Sequence, residues 1–147
     1  MPAPPLADDD RVPVRTATTP RVGHFGTHSP LVTTLLASAL DIILERSPAN
    51  VVLIGRDSDR FLADYVRTRP GAATRLEATG AAEPATLANR IAGCDVLLQP
   101  YPDGVSARRT STLTLMKRGC AVVTNLGHLS EAFWREESAR IDWIKPW

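Results

Sequence analysis

From Arg21 onward, short apolar runs alternate with stretches in which apolar residues recur at helical spacing. Val22–Phe25 is a compact run closed by Gly26. Beyond it Leu31, Leu35, Ala39 and Ile43 form one four-residue row beside a second, Val32, Leu36, Leu40 and Leu44. Two adjacent rows predict a helix with a broad apolar face. Val51–Ile54 is a β-branched run ended by Gly55, and a polar helix carrying Phe61, Leu62, Tyr65 and Val66 follows until Pro70 and Gly71 stop it. Arg75–Thr79 alternates toward Gly80 as a third strand. Pro84, Leu87, Ile91 and Gly93 mark the first turn, apolar face and C-terminal cap of the next helix. Asp95–Gln99 predicts a fourth strand, and the loop over residues 100–107 leads into a helix near Arg109–Arg118, closed by Gly119. Ala121–Thr124 is a fifth strand. A helix near Leu129–Glu136 and a weak strand near Ala139–Ile141 complete the series.

Strands that are apolar throughout, rather than alternating, belong to a parallel sheet covered on both faces. The series therefore predicts a Rossmann-like three-layer α/β/α fold with a parallel sheet of about 5–6 strands. Residues 1–20 do not share the pattern. Pro2, Pro4, Pro5, Pro13, Pro20 and the Asp8-Asp9-Asp10 run cannot bury enough apolar surface to offset the entropy of ordering, so this stretch reads as a flexible leader or linker. The domain is expected over residues 21–141, with an atypical tail at 142–147. No repeat of constant period is visible.

At 147 residues and 44% hydrophobic, the chain has material for one core, and a second domain of ordinary size does not fit. The 17 basic residues are balanced by 16 acidic ones, so no global field draws the chain to nucleic acid or an anionic membrane. Any anion must be held locally. Cys94 and Cys120 each lie beside an apolar run and read as buried free thiols, which fits a reducing cytoplasm. The N-terminus lacks the basic and apolar regions of a signal peptide, and no apolar run is long enough to span a bilayer. The sequence is therefore read as that of a soluble protein.

In open parallel sheets, ligands bind beyond the carboxyl ends of the strands, where helix N-termini present free N–H groups. The loop after the first strand, Gly23–Pro30, offers Gly26 for close backbone approach and Thr27 beside it, as a phosphate cradle requires. A tight turn with Ser29 or Thr27 capping the helix accounts for the same residues equally well. The loop lacks both the dinucleotide glycine fingerprint and a Gly-Lys-Ser/Thr ending. After the fourth strand, Arg108, Arg109, Thr110 and Ser111 stand at the start of a helix. A cation there is unfavourable unless an anion compensates it. A diphosphate would accept charge-assisted bonds from both guanidinium groups, whereas pairing with Asp103 or a glutamate is the plainer alternative. His24 and His28 are more ordinarily structural donors than acid–base groups. Arg56 lies on the ligand side of the sheet, and Asp103 beside Gly104 is a sugar-hydroxyl partner or a turn residue. Packing explains Trp134, Trp143 and Trp147 better than base stacking does.

Taken in order, Val22–Gly26, Val52–Gly55, Glu77–Gly80, Ala92–Tyr101 and Lys117–Thr124 resemble the landmarks of the group 1 (family 4-like) glycosyltransferases, over residues of roughly 21 to 140. The resemblance implies the C-terminal, nucleotide-sugar-binding half of a GT-B fold. It places the diphosphate at Gly26, Thr27 and Arg108–Ser111, and the base near Thr79 and Gly80, with His28, Arg56, Asp103 and Gly104 as further candidate sugar or base contacts. The substrate implied is a nucleoside-diphosphate sugar, with no cofactor and no metal required. The partner implied is an N-terminal acceptor domain outside this chain, without which the chain is expected to bind donor but not transfer it. The family's pair of glutamates separated by seven residues is missing: Asp103 is the only acid of the loop, and Thr114 stands about where the second glutamate would be. Ala121 replaces a proline. Two other readings remain at this level: a non-catalytic flavodoxin-like signalling or interaction module, and half of a GT-B nucleotide-sugar epimerase.

Overall fold

The computed structural model describes residues 19–140, with side chains as far as Glu136. Most of the leader, and the tail at 142–147 with Trp143 and Trp147, lie outside the described residues. In chain order the elements are β1 (Arg21–Phe25), α1 (Pro30–Arg46), β2 (Asn50–Ile54), α2 (Ser58–Thr68), a 3-10 turn (Pro70–Arg75), β3 (Leu76–Ala78), α3 (Pro84–Ala92), β4 (Val96–Gln99), α4 (Thr110–Lys117), β5 (Val122–Thr124) and α5 (Ala132–Arg140). The five strands form one parallel sheet in the order β3-β2-β1-β4-β5. This is the predicted Rossmann-like α/β fold.

Successive strand residues point to opposite faces, and the core divides accordingly. Val51 and Leu53 of β2 and Leu98 of β4 pack with Leu36, Ala39 and Leu40 of α1 and Tyr65 of α2. Val52, Ile54 and Leu97 pack on the other face with Ile91 of α3 and Leu115 of α4. Helices α1 and α2 thus cover one face and α3 and α4 the other. A third cluster, Tyr101, Val105 and Trp134, with Leu126 against it, lies under the loops that follow β4 and β5. Trp134 is a packing residue, as predicted.

The buried stripe of α1 is narrower than its two apolar rows imply. Val32, Leu36, Ala39 and Leu40 are buried, whereas Leu31 is 72% exposed. Rows offset by one residue are rotated about 100° apart, so the row that starts at Leu31 begins on the solvent side. Cys94 is buried and Cys120 half-buried, both as free thiols. Burial pushes the Cys120 thiol up.

The expected sixth strand near Ala139–Ile141 is overturned. Helix α5 continues through Ala139 to Arg140, while Ile141 lies outside the described residues. Glu, Ala and Arg are good helix formers and no glycine or proline interrupts them, so the helix started at Ala132 propagates. The third strand is also shorter than expected at its start, because Arg75 closes the 3-10 turn.

Candidate functional site

Strand β1 sends its chain into α1 on one face of the sheet, and its neighbour β4 sends its chain into α4 on the other. The β1–β4 boundary is therefore the switch point where connections diverge and a crevice opens at the carboxyl edge. The backbone ladder between these two strands stops short of that edge. Strands β1 and β2 are in register over five pairs, from Arg21 with Asn50 to Phe25 with Ile54, but β1 and β4 over only Val22–Val96 and Gly23–Leu97. Beyond Gly23, side chains bridge the two strands. The His24 ring bonds Leu98 O through Nδ1 at 2.8 Å. Gln99, fully buried, accepts from Phe25 N at 2.9 Å and donates to Phe25 O at 2.8 Å.

The loop after β1 leans on the end of β2: Gly26 N donates to Ile54 O at 3.1 Å and His28 N to Arg56 O at 3.2 Å. Gly55 must be glycine for this to happen. Its φ is +119°, and a Cβ there would collide with the carbonyl oxygen of Gly26. Across the crevice, a Cβ on Gly26 would lie 3.7 Å from the Ser111 hydroxyl, so the glycine loop and the start of α4 are adjacent. Ser29 occupies the N-cap position of α1, yet its hydroxyl caps nothing, and the first turn contains no acid. Arg109 is the N-cap residue of α4, again with no side-chain cap and no acid in the first turn. Two helix N-termini thus lack the usual side-chain partners for their free N–H groups.

Tyr101 organises the α4 side. Its buried hydroxyl lies 2.6 Å from Thr112 Oγ1, 3.3 Å from Ser111 Oγ and 3.4 Å from Gln99 Nε2. The Arg109 guanidinium sits 4.4 Å over the Tyr101 ring and 3.8 Å from Asp103 Oδ2. The plainer pairing partner for one arginine is therefore present, at a distance beyond direct hydrogen bonding. Asp103 also lies 3.5 Å from His128 Nε2. Arg108 is exposed, and its guanidinium makes no hydrogen bond among the described residues. The Glu131 carboxylate is held below its usual range by its own backbone N–H, then by that of Ala107, with Arg108 a lesser contributor. Thr27 and Thr110 are exposed.

The other candidates are placed less directly. His28 is buried beneath the glycine loop, its Nδ1 on Arg56 O at 3.2 Å, with its ring stacked on Phe61 and edge-on to His24. Burial lowers its pKa, and burial followed by the neighbouring His28 lowers that of His24 to about 4. Both rings are neutral at pH 7. With Nδ1 facing a carbonyl it carries the proton, so each Nε2 is a bare acceptor, and each is buried without a partner. Arg56 is exposed. Thr79 and Gly80 follow β3, two strands from the crevice. The Thr79 hydroxyl accepts from Gly55 N and donates to Gly80 O, and Gly80 N donates to Ser58 Oγ. Gly104, at φ +85°, packs so tightly on Gly127 that its role is the crossing of two backbones. Among the described residues no group of three His, Cys, Asp or Glu could hold a metal ion, and no helix is long and apolar enough to cross a membrane.

The residues that join the two sides, Gln99, Tyr101 and Thr112, were not singled out as site residues from the sequence. The signal was the Gln99-Pro-Tyr101 ending of an apolar strand, polar groups in a place that burial would otherwise reserve for apolar ones.

No protein-family model matches the sequence, and no curated protein does. Among solved structures, Anabaena HepE in complex with UDP and glucose is similar to this chain, with a TM-score of 0.55 and 22% identity, covering 75% of this chain and 30% of that one. HepE in complex with UDP-glucose has a TM-score of 0.54 and 24% identity, over 76% of this chain and 31% of that one. The chain thus spans less than a third of HepE's length. At such identity the likeness shows a shared fold.

Proposed function

We propose that this chain is the nucleotide-sugar donor-binding domain of a glycosyltransferase with GT-B architecture, and that the donor's diphosphate occupies the β1–β4 crevice. The observation that carries the reading is electrostatic: α1 and α4 open on one crevice with neither acid nor side-chain cap in their first turns, and Arg108 and Arg109 stand at the second of them. A diphosphate supplies the negative charge both ends lack. Gly26 and Thr27 would offer backbone N–H groups, Thr110 and Ser111 hydroxyls, and the arginines charge-assisted bonds. That HepE is bound to UDP and to UDP-glucose supports this choice of ligand.

The same groups would stabilise the nucleoside diphosphate as it departs, a role that preorganised donors perform without a metal. Thr79 and Gly80 would flank the base and Asp103 the sugar, with the acceptor site supplied by a separate N-terminal domain. The chain alone would bind donor without turnover. A cytoplasmic setting suits its free thiols.

Calorimetric titration with UDP, GDP and ADP tests the reading. At least one should bind, and Arg108→Ala should weaken it about tenfold, the loss of one charge-assisted hydrogen bond. Failure of all three to bind would favour an interaction module. Multiple-turnover glycosyl transfer by the chain alone would overturn its inactivity.

A further inference from the structure

We infer that Gln99 and Tyr101 are positioning residues that set the distance between the two walls of the diphosphate crevice, an inference that rests on the donor-binding reading above. Parallel strands in register are held by evenly spaced backbone bonds. Between β1 and β4 that register ends at Gly23 and Leu97, and at Phe25 the Gln99 side chain has taken over both backbone groups, donor and acceptor. A side-chain amide inserted between two backbones spaces them more widely than a direct rung would. Gln99 therefore props the strands apart at the end where the glycine loop leaves β1.

The amide also ties that loop to the opposite wall. From Phe25, the residue before Gly26, the connection runs through Gln99 Nε2 to the Tyr101 hydroxyl and from there to Ser111 and Thr112 in the first turn of α4. Gln99 and Thr112 are fully buried and Tyr101 is 5% exposed, so the bonds from the Tyr101 hydroxyl to Gln99 and to Thr112 are shielded from water. The Tyr101 ring carries the Arg109 guanidinium on its face, so the residue that fixes α4 also orients one of its cations. Asn125 repeats the device one strand over. It accepts from Tyr101 N and donates to Tyr101 O, each at 2.8 Å, which holds the Tyr101 backbone against the end of β5. Tyr101 is thereby fixed at its backbone by Asn125 and at its hydroxyl by Gln99 and α4.

The test uses the whole chain with UDP as the probe. Tyr101→Phe keeps the ring under Arg109 and deletes only the hydroxyl, and Gln99→Met keeps the length of the side chain without its bonds. Each should weaken UDP binding about fivefold to tenfold, on the order of one buried hydrogen bond. The double variant should bind about as weakly as the weaker single one, because both act on one connection. In the free protein, Tyr101→Phe should also shift the amide resonance of Gly26, which the hydroxyl does not touch. A merely structural role would lower the thermal midpoint, multiply the two affinity losses and leave Gly26 unmoved. If Gln99→Met does not fold, Tyr101→Phe and Thr112→Val form the same cycle. UDP binding by the unaltered chain that all variants reproduce would overturn this inference and leave the donor-binding reading standing. No binding of UDP, GDP or ADP by the unaltered chain would overturn both.

Discussion

An imidazole closed inside an apolar face stays neutral because ionising it there forfeits hydration, and His24 shows the consequence for stability. Its pKa falls from the ordinary 6.5 to about 4. Above pH 6.5 neither the folded nor the unfolded chain protonates it. Between 6.5 and about 4 the unfolded chain takes up a proton that the folded chain refuses, so stability falls as pH falls. Below about 4 both are protonated and the loss levels off. The difference amounts to about 3 kcal/mol at most, and His28 acts in the same direction. Thermal midpoints between pH 7.5 and 4.5 check it: the unaltered chain should lose stability over that range, and His24→Gln should flatten the loss. Equal slopes would count against His24.

Charge at Arg108 and Arg109 was legible as an unbalanced feature of a helix start, but the residues that surround it were not. Arg109 sits on Tyr101 and near Asp103, contacts between positions six to eight residues apart whose geometry depends on how the loop folds. The exposed Arg108 guanidinium makes no hydrogen bond among the described residues. Its replacement by alanine should therefore leave the thermal midpoint within about 1 °C, as a surface substitution does.

At the level of elements, the chain end of α1 meets a partner that periodicity could not reveal. The last carbonyls of a helix lack N–H donors. Here the Arg75 guanidinium, carried in by the 3-10 turn, bonds Leu44 O at 2.8 Å, Ser47 O at 2.6 Å and Ala49 O at 2.7 Å. Arg75→Ala should cost about 2–3 kcal/mol in a urea titration, since it orphans several carbonyls at once, while UDP affinity should not change. Arg69 and Tyr65 make a second tie between α1 and α2 through Asp41, at 2.6 and 2.7 Å. Strands and helices were largely readable because each has a sustained period and a glycine or proline boundary. The weak strand near Ala139 failed for want of either, a short mixed segment in which helix propagation from Ala132 decides the outcome.

At the scale of the molecule, two positions show how tightly the loops beyond the strands are fitted. Gly104→Ala should destabilise the chain by about 2 kcal/mol or more, because a Cβ at φ +85° would also strike the backbone of Gly127. Chemical denaturation measures it. Gly104 stood out in the sequence as part of a turn, but Gly127, its partner, carried no local signal. The candidate site shares this limit. Gly26, Arg108 and Ser111 were visible as residue types in loops after strands. That Gly26 faces Ser111, and that Gln99 joins the walls, follows from strand order, which no stretch of sequence contains.

Strand order also has a temporal side. Strands β1, β2 and β3 are consecutive in the chain and adjacent in the sheet, so each can pair with the one before it as it is completed. The bonds from Phe25 to Gln99 span 74 residues, and β4 must pass β3 and β2 to reach its place beside β1. Contacts at such separation form late, after the entropy of closing the intervening chain has been met. The two walls of the crevice are thus made by halves of the chain that meet last. A ribosome-bound chain ending before Gln99 should hold the glycine loop but no pocket opposite it. On the donor-binding proposal, binding would then appear only after α4 has emerged, as a late report that folding is complete.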